Sequence, residues 1–144
     1  METLIELMKK ILADSYAFTI KAQNYHWNVE GPNFPQYHEF FGKLYEEVYS
    51  SIDTTAEEIR ALGAYSPGSF GRFRELSDIE DETNIPIPTD MVSKLVADNE
   101  IILETLKTTF KLADNLDEQG LADYIAGRID AHKKHGWMLR SIIK

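Results

Sequence analysis

Four residues with side chains suited to holding a metal ion stand in the first half of the sequence: His26, His38, Asp53 and Glu57. Asp53 and Glu57 are four residues apart, so on a helix their carboxylates project from one face, one turn apart. Two carboxylates so placed either repel each other in solvent or share a cation. The chain contains no cysteine, so any metal would be held by imidazole and carboxylate groups.

His38 precedes Asp53 by fifteen residues in the same predicted helix. A helix rises about 1.5 Å per residue, which places the two Cα atoms about 22 Å apart. Metal–ligand bonds are only about 2 Å long, so one ion cannot bind both side chains of one chain. Either His38 has an ordinary packing or surface role, or its carboxylate partners belong to a second copy across a two-fold axis. His26, just before this helix, could join His38 from the same side.

Two other arrangements of ligand-type residues are less favourable. A di-iron site inside a helical bundle needs Glu-x-x-His on two helices, and none of the four histidines has a glutamate three positions before it. His132 and His135 have a spacing that can chelate a metal on a helix. They lie among basic residues, and His132 falls on the apolar register, so packing or surface roles are favoured for this pair.

Apolar residues recur at steps of three and four in four long stretches. They predict a first helix from about residue 2 to Gly31, a second from Pro35 to Gly63, a third from a Thr89 or Asp90 cap to Asn115, and a fourth from Leu121 to the last residue. Residues 64–88 predict a long crossover loop with a short helix around Gly71–Leu76. The expected fold is an all-α four-helix bundle of ferritin-like topology, one domain over residues 1–144.

The composition limits the classes of partner. The chain carries 24 acidic and 15 basic residues, a formal charge of -9. Phosphate binding depends on clustered Lys and Arg, so this charge argues against nucleic acid as a partner. No apolar run is long enough to span a membrane, and the N-terminus carries acid where a secretory signal carries basic residues. The expected location is the cytoplasm.

Several segments carry a family resemblance: His26-Trp27-Asn28-Val29-Glu30-Gly31-Pro32-Asn33-Phe34, then His38-Glu39, then Asp53-x-x-x-Glu57 followed by Arg60-Ala61-Leu62-Gly63, and finally Ala131 to Arg140. Together they resemble the Dps (DNA protection during starvation) family of mini-ferritins over nearly the whole chain. The first element, with a second histidine twelve residues on, is highly specific. The carboxylate pair alone is a weak signal.

The resemblance implies a cage of twelve identical subunits that oxidises ferrous iron, with hydrogen peroxide or dioxygen, and stores ferric mineral inside. His26 and His38 would come from one subunit and Asp53 and Glu57 from its partner, with Glu57 and a histidine holding the tighter iron. The rival expectation is a structural or metal-binding cage with weakened or lost oxidation. Another divalent ion, such as zinc, could also occupy the same ligands.

The resemblance gives expectations for three further positions. Trp27 would be an electron donor beside the site, with a packing role weighed about equally. Asp123 would line an iron entry pore at a three-fold axis, or else be a solvated acid at a helix junction. The family typically has aspartate where this chain has Gly42, which predicts slower oxidation. DNA binding in the family commonly uses a Lys-rich tail, which is absent from this sequence, so DNA binding is not expected.

Overall fold

The computed structural model describes all 144 residues as helices and connecting loops. The helices are α1 (Glu2–Asn28), α2 (Phe34–Ser50), α3 (Ile52–Ala61), α4 (Phe70–Leu76), α5 (Pro88–Asn115) and α6 (Gln119–Ile142). α2 and α3 follow each other directly and form one long element of the bundle, the α2–α3 arm. The predicted four-helix bundle is confirmed, as are the long crossover between its second and third members and the short helix within that crossover.

The helix ends follow from backbone chemistry. α1 ends at Asn28, its C-cap Val29 has an extended backbone, and Gly31 then takes a φ of 123°, a region that favours glycine. α5 begins at Pro88, and its N-cap is Ile87, which makes no side-chain capping bond. The prediction of a Thr89 or Asp90 cap is wrong. Proline at the first helical position needs no N–H partner and already has a helical φ, so the helix starts two or three residues earlier than predicted.

A break at Ser51 divides the α2–α3 arm, where the sequence predicts one continuous helix. The Ser51 hydroxyl donates to the Val48 carbonyl at 2.7 Å, a local bond that competes with regular helix geometry. The Ser51 carbonyl accepts from the Thr55 hydroxyl at 2.8 Å and from the Tyr124 hydroxyl of α6 at 2.9 Å. These bonds fix the angle at which α3, the helix that carries Asp53, leaves α2.

The core lies between α1, the α2–α3 arm, α5 and α6. Its largest fully buried side chains are Tyr25, Phe18, Phe41, Leu4, Met8, Leu12, Ile59, Met91, Leu95, Ile102, Leu106 and Ile125. Burying an apolar side chain of this size stabilises the fold by about 1.5–3 kcal/mol. None of the helices is both long and apolar enough to cross a membrane.

Two carboxylates attach the crossover to the bundle. Asp14 of α1 is fully buried and accepts from the Ser77 hydroxyl at 2.7 Å and from the Asp78 backbone N–H at 2.9 Å. Glu82 accepts from the Tyr25 hydroxyl at 2.7 Å and pairs with Lys94 at 2.9 Å. The loop after α4 is therefore bound to both α1 and α5. These bonds hold the helices before the crossover in position against those after it.

Candidate metal centre

His26 and His38 lie face to face where α1 and α2 meet. The turn at residues 29–33 reverses the chain, so the last turn of α1 lies beside the beginning of α2. The two imidazole rings stack with centroids 3.8 Å apart and planes 13° apart. Nδ1 of His26 lies 2.6 Å from the His38 carbonyl oxygen, and Nδ1 of His38 lies 2.6 Å from the His26 carbonyl oxygen. This reciprocal pair is the histidine clasp.

The hydrogen bonds of the histidine clasp determine the tautomer of both rings. A carbonyl oxygen can only accept, so each Nδ1–H must donate, and a neutral ring then keeps its lone pair on Nε2. Neither Nε2 takes part in a hydrogen bond within the chain. Metal-binding histidines are commonly oriented in this way, by a bond from the other ring nitrogen to a carbonyl or carboxylate. The clasp therefore presents two oriented imidazole donors.

Aromatic rings and a glycine surround the histidine clasp. The Phe34 ring stacks on His38 at 5.0 Å, and the Tyr45 ring lies 5.5 Å from that of His26. A Cβ atom placed on Gly42 would lie 3.0 Å from both Cε1 and Nδ1 of His26. A side chain at position 42 would thus be in tight contact with the His26 imidazole. In the sequence, Gly42 stands out as a missing carboxylate, although a glycine inside a helix is also a sign of close packing.

Asp53 and Glu57 lie on α3, beyond the Ser51 break, and both are exposed. No group of three or more His, Asp or Glu side chains within one chain is close enough to hold one metal ion. The four residues selected from the sequence are therefore found as two pairs, at opposite ends of the α2–α3 arm. One pair supplies imidazole nitrogen and the other carboxylate oxygen.

Trp27 and Asp123 are both on the surface of the chain. Trp27 follows His26 and is 64% exposed, so it has no packing role within a single chain. Asp123 lies exposed near the beginning of α6. Neither side chain makes a hydrogen bond or ion pair inside the chain, which leaves both available to a neighbouring copy.

The other two histidines belong to a partly buried polar group, the core network, which consists of Glu47, Asn99, Arg128, His132 and His135. Nδ1–H of His132 donates to the Asn99 side-chain oxygen at 2.8 Å, and its Nε2 accepts from Arg128 at 3.2 Å. Burial, and next the Arg128 charge, lower the pKa of His132 to about 3. His132 is thus a neutral core residue with both ring nitrogens engaged.

Glu47 joins α2 to α6 in the core network. It accepts two bonds from Arg128, at 2.7 and 3.0 Å, and one from Nε2–H of His135 at 2.7 Å. Burial tends to raise the pKa of Glu47, but the bonds from His135 and Arg128 outweigh it and hold the pKa well below its usual range. The carboxylate is therefore ionised, and its charge is balanced by Arg128 without any metal.

An all-helical four-helix bundle with this long crossover is the architecture of a ferritin-like protein. The sequence matches the Ferritin family, a ferritin-like domain, over residues 5–144. It is 34% identical to DNA protection during starvation protein 2 of Bacillus anthracis, with 97% of this chain and 96% of that protein covered.

Solved structures agree with this assignment. A Dps protein from Bacillus brevis superposes with a TM-score of 0.95 at 31% identity, covering 99% of this chain and 96% of that one. A DPS protein from Vibrio cholerae O1, described as a member of a superfamily of ferritin-like diiron-carboxylate proteins, gives a TM-score of 0.95 at 26% identity, covering 99% and 90%. The chain belongs to the Dps family of mini-ferritins.

Proposed function

We propose that this protein is an iron-storage mini-ferritin that oxidises ferrous iron between two copies of the chain. His26 and His38 of one copy and Asp53 and Glu57 of the other would hold the iron, which is substrate and cargo. The observation that carries the proposal is the histidine clasp, whose two Nε2 lone pairs have no partner within the chain. An antiparallel pairing of α2–α3 arms about a two-fold axis brings each clasp to the partner's carboxylates.

The donor set suits oxidation of ferrous iron. Imidazole binds the ferrous ion well, whereas the harder carboxylates favour the ferric product, so a mixed site first captures the ion and then stabilises its oxidised form. Two ferrous ions supply the two electrons that, with two protons, reduce one hydrogen peroxide to two waters. Dioxygen is the alternative oxidant. Membership of the ferritin-like family and the diiron-carboxylate description of the Vibrio cholerae relative support iron as the metal.

The proposal extends to the assembly. A closed cage of twelve copies, with ferric mineral inside it, follows from the family resemblance, and the separation of the two ligand pairs supports at least a two-fold contact. The exposed indole of Trp27, next to His26, would lie close to that contact and act as an electron donor. The exposed carboxylate of Asp123 would line a pore through which iron enters.

Mixing two inactive variants tests the shared site. His38→Ala keeps both carboxylates, and Glu57→Ala keeps both histidines. Each variant alone should oxidise ferrous iron very slowly, as followed by the near-ultraviolet absorbance of the ferric product with and without peroxide. After unfolding and refolding together, random pairing should restore about a quarter of the sites, because half of the pairs are mixed and each mixed pair has one complete site.

A control mixture separates complementation from a general effect of refolding. His26→Ala and His38→Ala damage the same half of the site, so no pairing of these two variants yields a complete site, and their mixture should stay inactive. Full activity of either single variant on its own would contradict the shared-site proposal.

One observation favours a second function, a cage with weakened oxidation. Gly42 supplies no carboxylate beside the histidine clasp. The histidine half of the site therefore has one hard ligand fewer than a site with aspartate at this position. If the natural protein binds ferrous iron stoichiometrically but forms no ferric product with either oxidant, this second function replaces the first.

A further inference from the structure

Tyr45 lies on α2, between the histidine clasp and the carboxylates of α3. It follows His38 by seven residues, which is two helical turns, so the two side chains leave the same face of α2. The Tyr45 ring packs against the core and lies 5.5 Å from the His26 ring. Its hydroxyl makes no hydrogen bond within the chain, unlike those of Tyr25 and Tyr124. The ring therefore has a structural role, whereas the hydroxyl has none within one chain.

The proposed pairing of two chains brings their Tyr45 residues together. When His38 of one copy faces Asp53 of the other, the two-fold axis passes midway between these positions along the α2–α3 arm. That midpoint lies between residues 45 and 46. Paired helices pack with their axes about 8–10 Å apart, so two tyrosine side chains at the axis are within reach of each other. Since each Tyr45 also lies against His26 of its own chain, two tyrosines connect one proposed iron site to the other.

The number of electrons held at one site gives this connection a purpose. A di-iron site inside a four-helix bundle uses four glutamates and two histidines. The proposed site has two carboxylates and two histidines, and Gly42 adds no ligand, so the donor set suits one iron. One ferrous ion gives up one electron, whereas hydrogen peroxide takes two to become water. A ferrous ion that reduces peroxide alone releases hydroxyl radical, but the two sites of a dimer together hold both electrons.

We propose that Tyr45 is a redox-active residue that couples the two iron sites of a dimer during the reduction of hydrogen peroxide. The inference rests on the proposed function for the sites themselves. In the first step, one ferrous ion and the Tyr45 phenol each lose one electron. The phenol also loses its proton, which joins peroxide with one proton from solvent to form two waters.

The second step restores the tyrosine. The Tyr45 radical takes one electron from the ferrous ion of the other site, through the partner's Tyr45, and one proton from solvent. The two steps together consume two ferrous ions, two protons and one peroxide, and they yield two ferric ions and two waters. No hydroxyl radical leaves the dimer.

Partial loading tests the inference on the natural protein. When ferrous ion is added at far less than one per dimer, an occupied dimer has no second iron to reduce the radical. Peroxide should then leave a tyrosyl radical, identified by electron paramagnetic resonance after rapid freezing. Filling both sites should remove that signal. The absence of a tyrosyl signal at partial loading would overturn the inference, and a tryptophanyl signal in its place would assign the electron to Trp27 instead.

Tyr45→Phe keeps the ring and removes only the hydroxyl. The variant should bind as much ferrous iron as the natural protein and should lose the tyrosyl signal. The iron oxidised per peroxide should fall from two ions to one, because each site now reacts alone. Spin trapping should detect one hydroxyl radical for each peroxide consumed. Circular dichroism and light scattering confirm that the variant keeps its helices and its assembly size.

Tyr37→Phe is the matched control. Tyr37 is also a partly buried tyrosine of α2, and its ring stacks on Phe41 at 5.9 Å, within the chain. This substitution should change neither the ratio of iron to peroxide nor the tyrosyl signal. A ratio of two in Tyr45→Phe, or an equal loss in Tyr37→Phe, would overturn the inference and leave the proposed function intact. A natural protein that forms no ferric product with peroxide would overturn both.

Discussion

The two histidine pairs of this chain contain the same residue type but differ in how their ring nitrogens are hydrogen-bonded. In the histidine clasp, both Nδ1–H groups donate to backbone carbonyls and both Nε2 lone pairs are unused. In the core network, His132 uses both ring nitrogens, and His135 donates its Nε2–H to Glu47. The comparison teaches that a histidine becomes a candidate ligand when the structure leaves it an accessible lone pair, whatever its spacing.

The two regions also differ in how charge is balanced. The core network pairs the Glu47 carboxylate with Arg128, so a fixed cation is part of the fold. The pair formed by Asp53 and Glu57 has no cation from its own chain and remains exposed. Glu47 therefore has a fixed cation within its own chain, whereas Asp53 and Glu57 have none.

The largest expected effect comes from removing a ligand of the histidine clasp. His38→Ala should slow ferrous oxidation by about a hundredfold or more, since one donor is lost and the His26 carbonyl loses its partner. His135→Gln, in the core network, should leave the rate per folded subunit within about twofold. The rates are measured from the initial increase of ferric absorbance. An equal loss of rate in both variants would contradict the distinction between the histidine clasp and the core network.

Removing the internal cation should be the next largest effect. Arg128→Met leaves Glu47 ionised and partly buried, and the free energy of unfolding should fall by about 2–3 kcal/mol. Arg140→Met is the control, because its ion pair with Glu100 is 3.6 Å long and half exposed, and such pairs contribute about 0–1 kcal/mol. Urea unfolding monitored by circular dichroism measures both. A loss for Arg128→Met no larger than for Arg140→Met contradicts the charge-balance argument.

The core network should also make stability depend on pH. The pKa of His132 is about 3 in the folded chain, lowered from 6.5 mainly by burial. Between these two pKa values the unfolded chain binds more protons than the folded chain. The contribution of His132 to the free energy of unfolding is therefore fully present above about pH 6.5 and falls as the pH is lowered below that value. From pH 7.5 to 5.0 the loss should be about 2 kcal/mol, at about 1.4 kcal/mol per pH unit.

His132→Gln tests the origin of this pH dependence. Glutamine cannot titrate, so the slope of unfolding free energy between pH 7.5 and 5.0 should flatten, although the starting stability is lower. The ordinary carboxyl pKa lies below this window, so Glu47 does not contribute to the slope. An unchanged slope in His132→Gln would show that other groups cause it.

A smaller effect is expected at the Ser51 break. Tyr124→Phe removes the hydroxyl that donates to the Ser51 carbonyl at 2.9 Å, and should lower the free energy of unfolding by about 1 kcal/mol. Because the break sets the direction of α3, the oxidation rate should also fall, by about two- to threefold. Tyr49→Phe, which changes an exposed tyrosine of α2, should alter neither quantity.

The smallest effect contrasts two glycines within helices. Gly127→Ala should raise the free energy of unfolding by about 0.5–1 kcal/mol, because alanine is the better helix former and nothing obstructs its side chain. Gly42→Ala has the same gain in propensity but must displace His26, so its net change should be lower than that of Gly127→Ala. Thermal unfolding at matched protein concentration compares them.

The bundle could be predicted from sequence because its signals are local. Apolar periodicity, Gly31 and Pro35 gave the arrangement of the four long helices, and the glycine and proline pairs gave the crossover with its short helix. The break at Ser51 could not be foreseen in this way. One of the bonds at the break comes from Tyr124, which is distant in sequence and lies on another helix.

The candidate site was predictable in composition but not in arrangement. The rise of a helix is enough to separate His38 from Asp53 within one chain, and the structure brings no three ligand-type side chains together. The reciprocal carbonyl bonds of the clasp have no sequence signature, since every residue carries a carbonyl. The space that Gly42 leaves for His26 likewise depends on how α1 and α2 pack, which periodicity does not specify.

The bond from His38 to the His26 carbonyl has a consequence for how the family's sequences are interpreted. His26 lies in the last turn of α1, where carbonyls have no partner within the helix. The His38 ring supplies that partner, so it terminates one helix while its other nitrogen faces outward. Selection for folding alone could therefore retain this histidine in a protein that does not oxidise ferrous iron. Its presence in a relative is a weaker sign of that activity than the presence of both carboxylates.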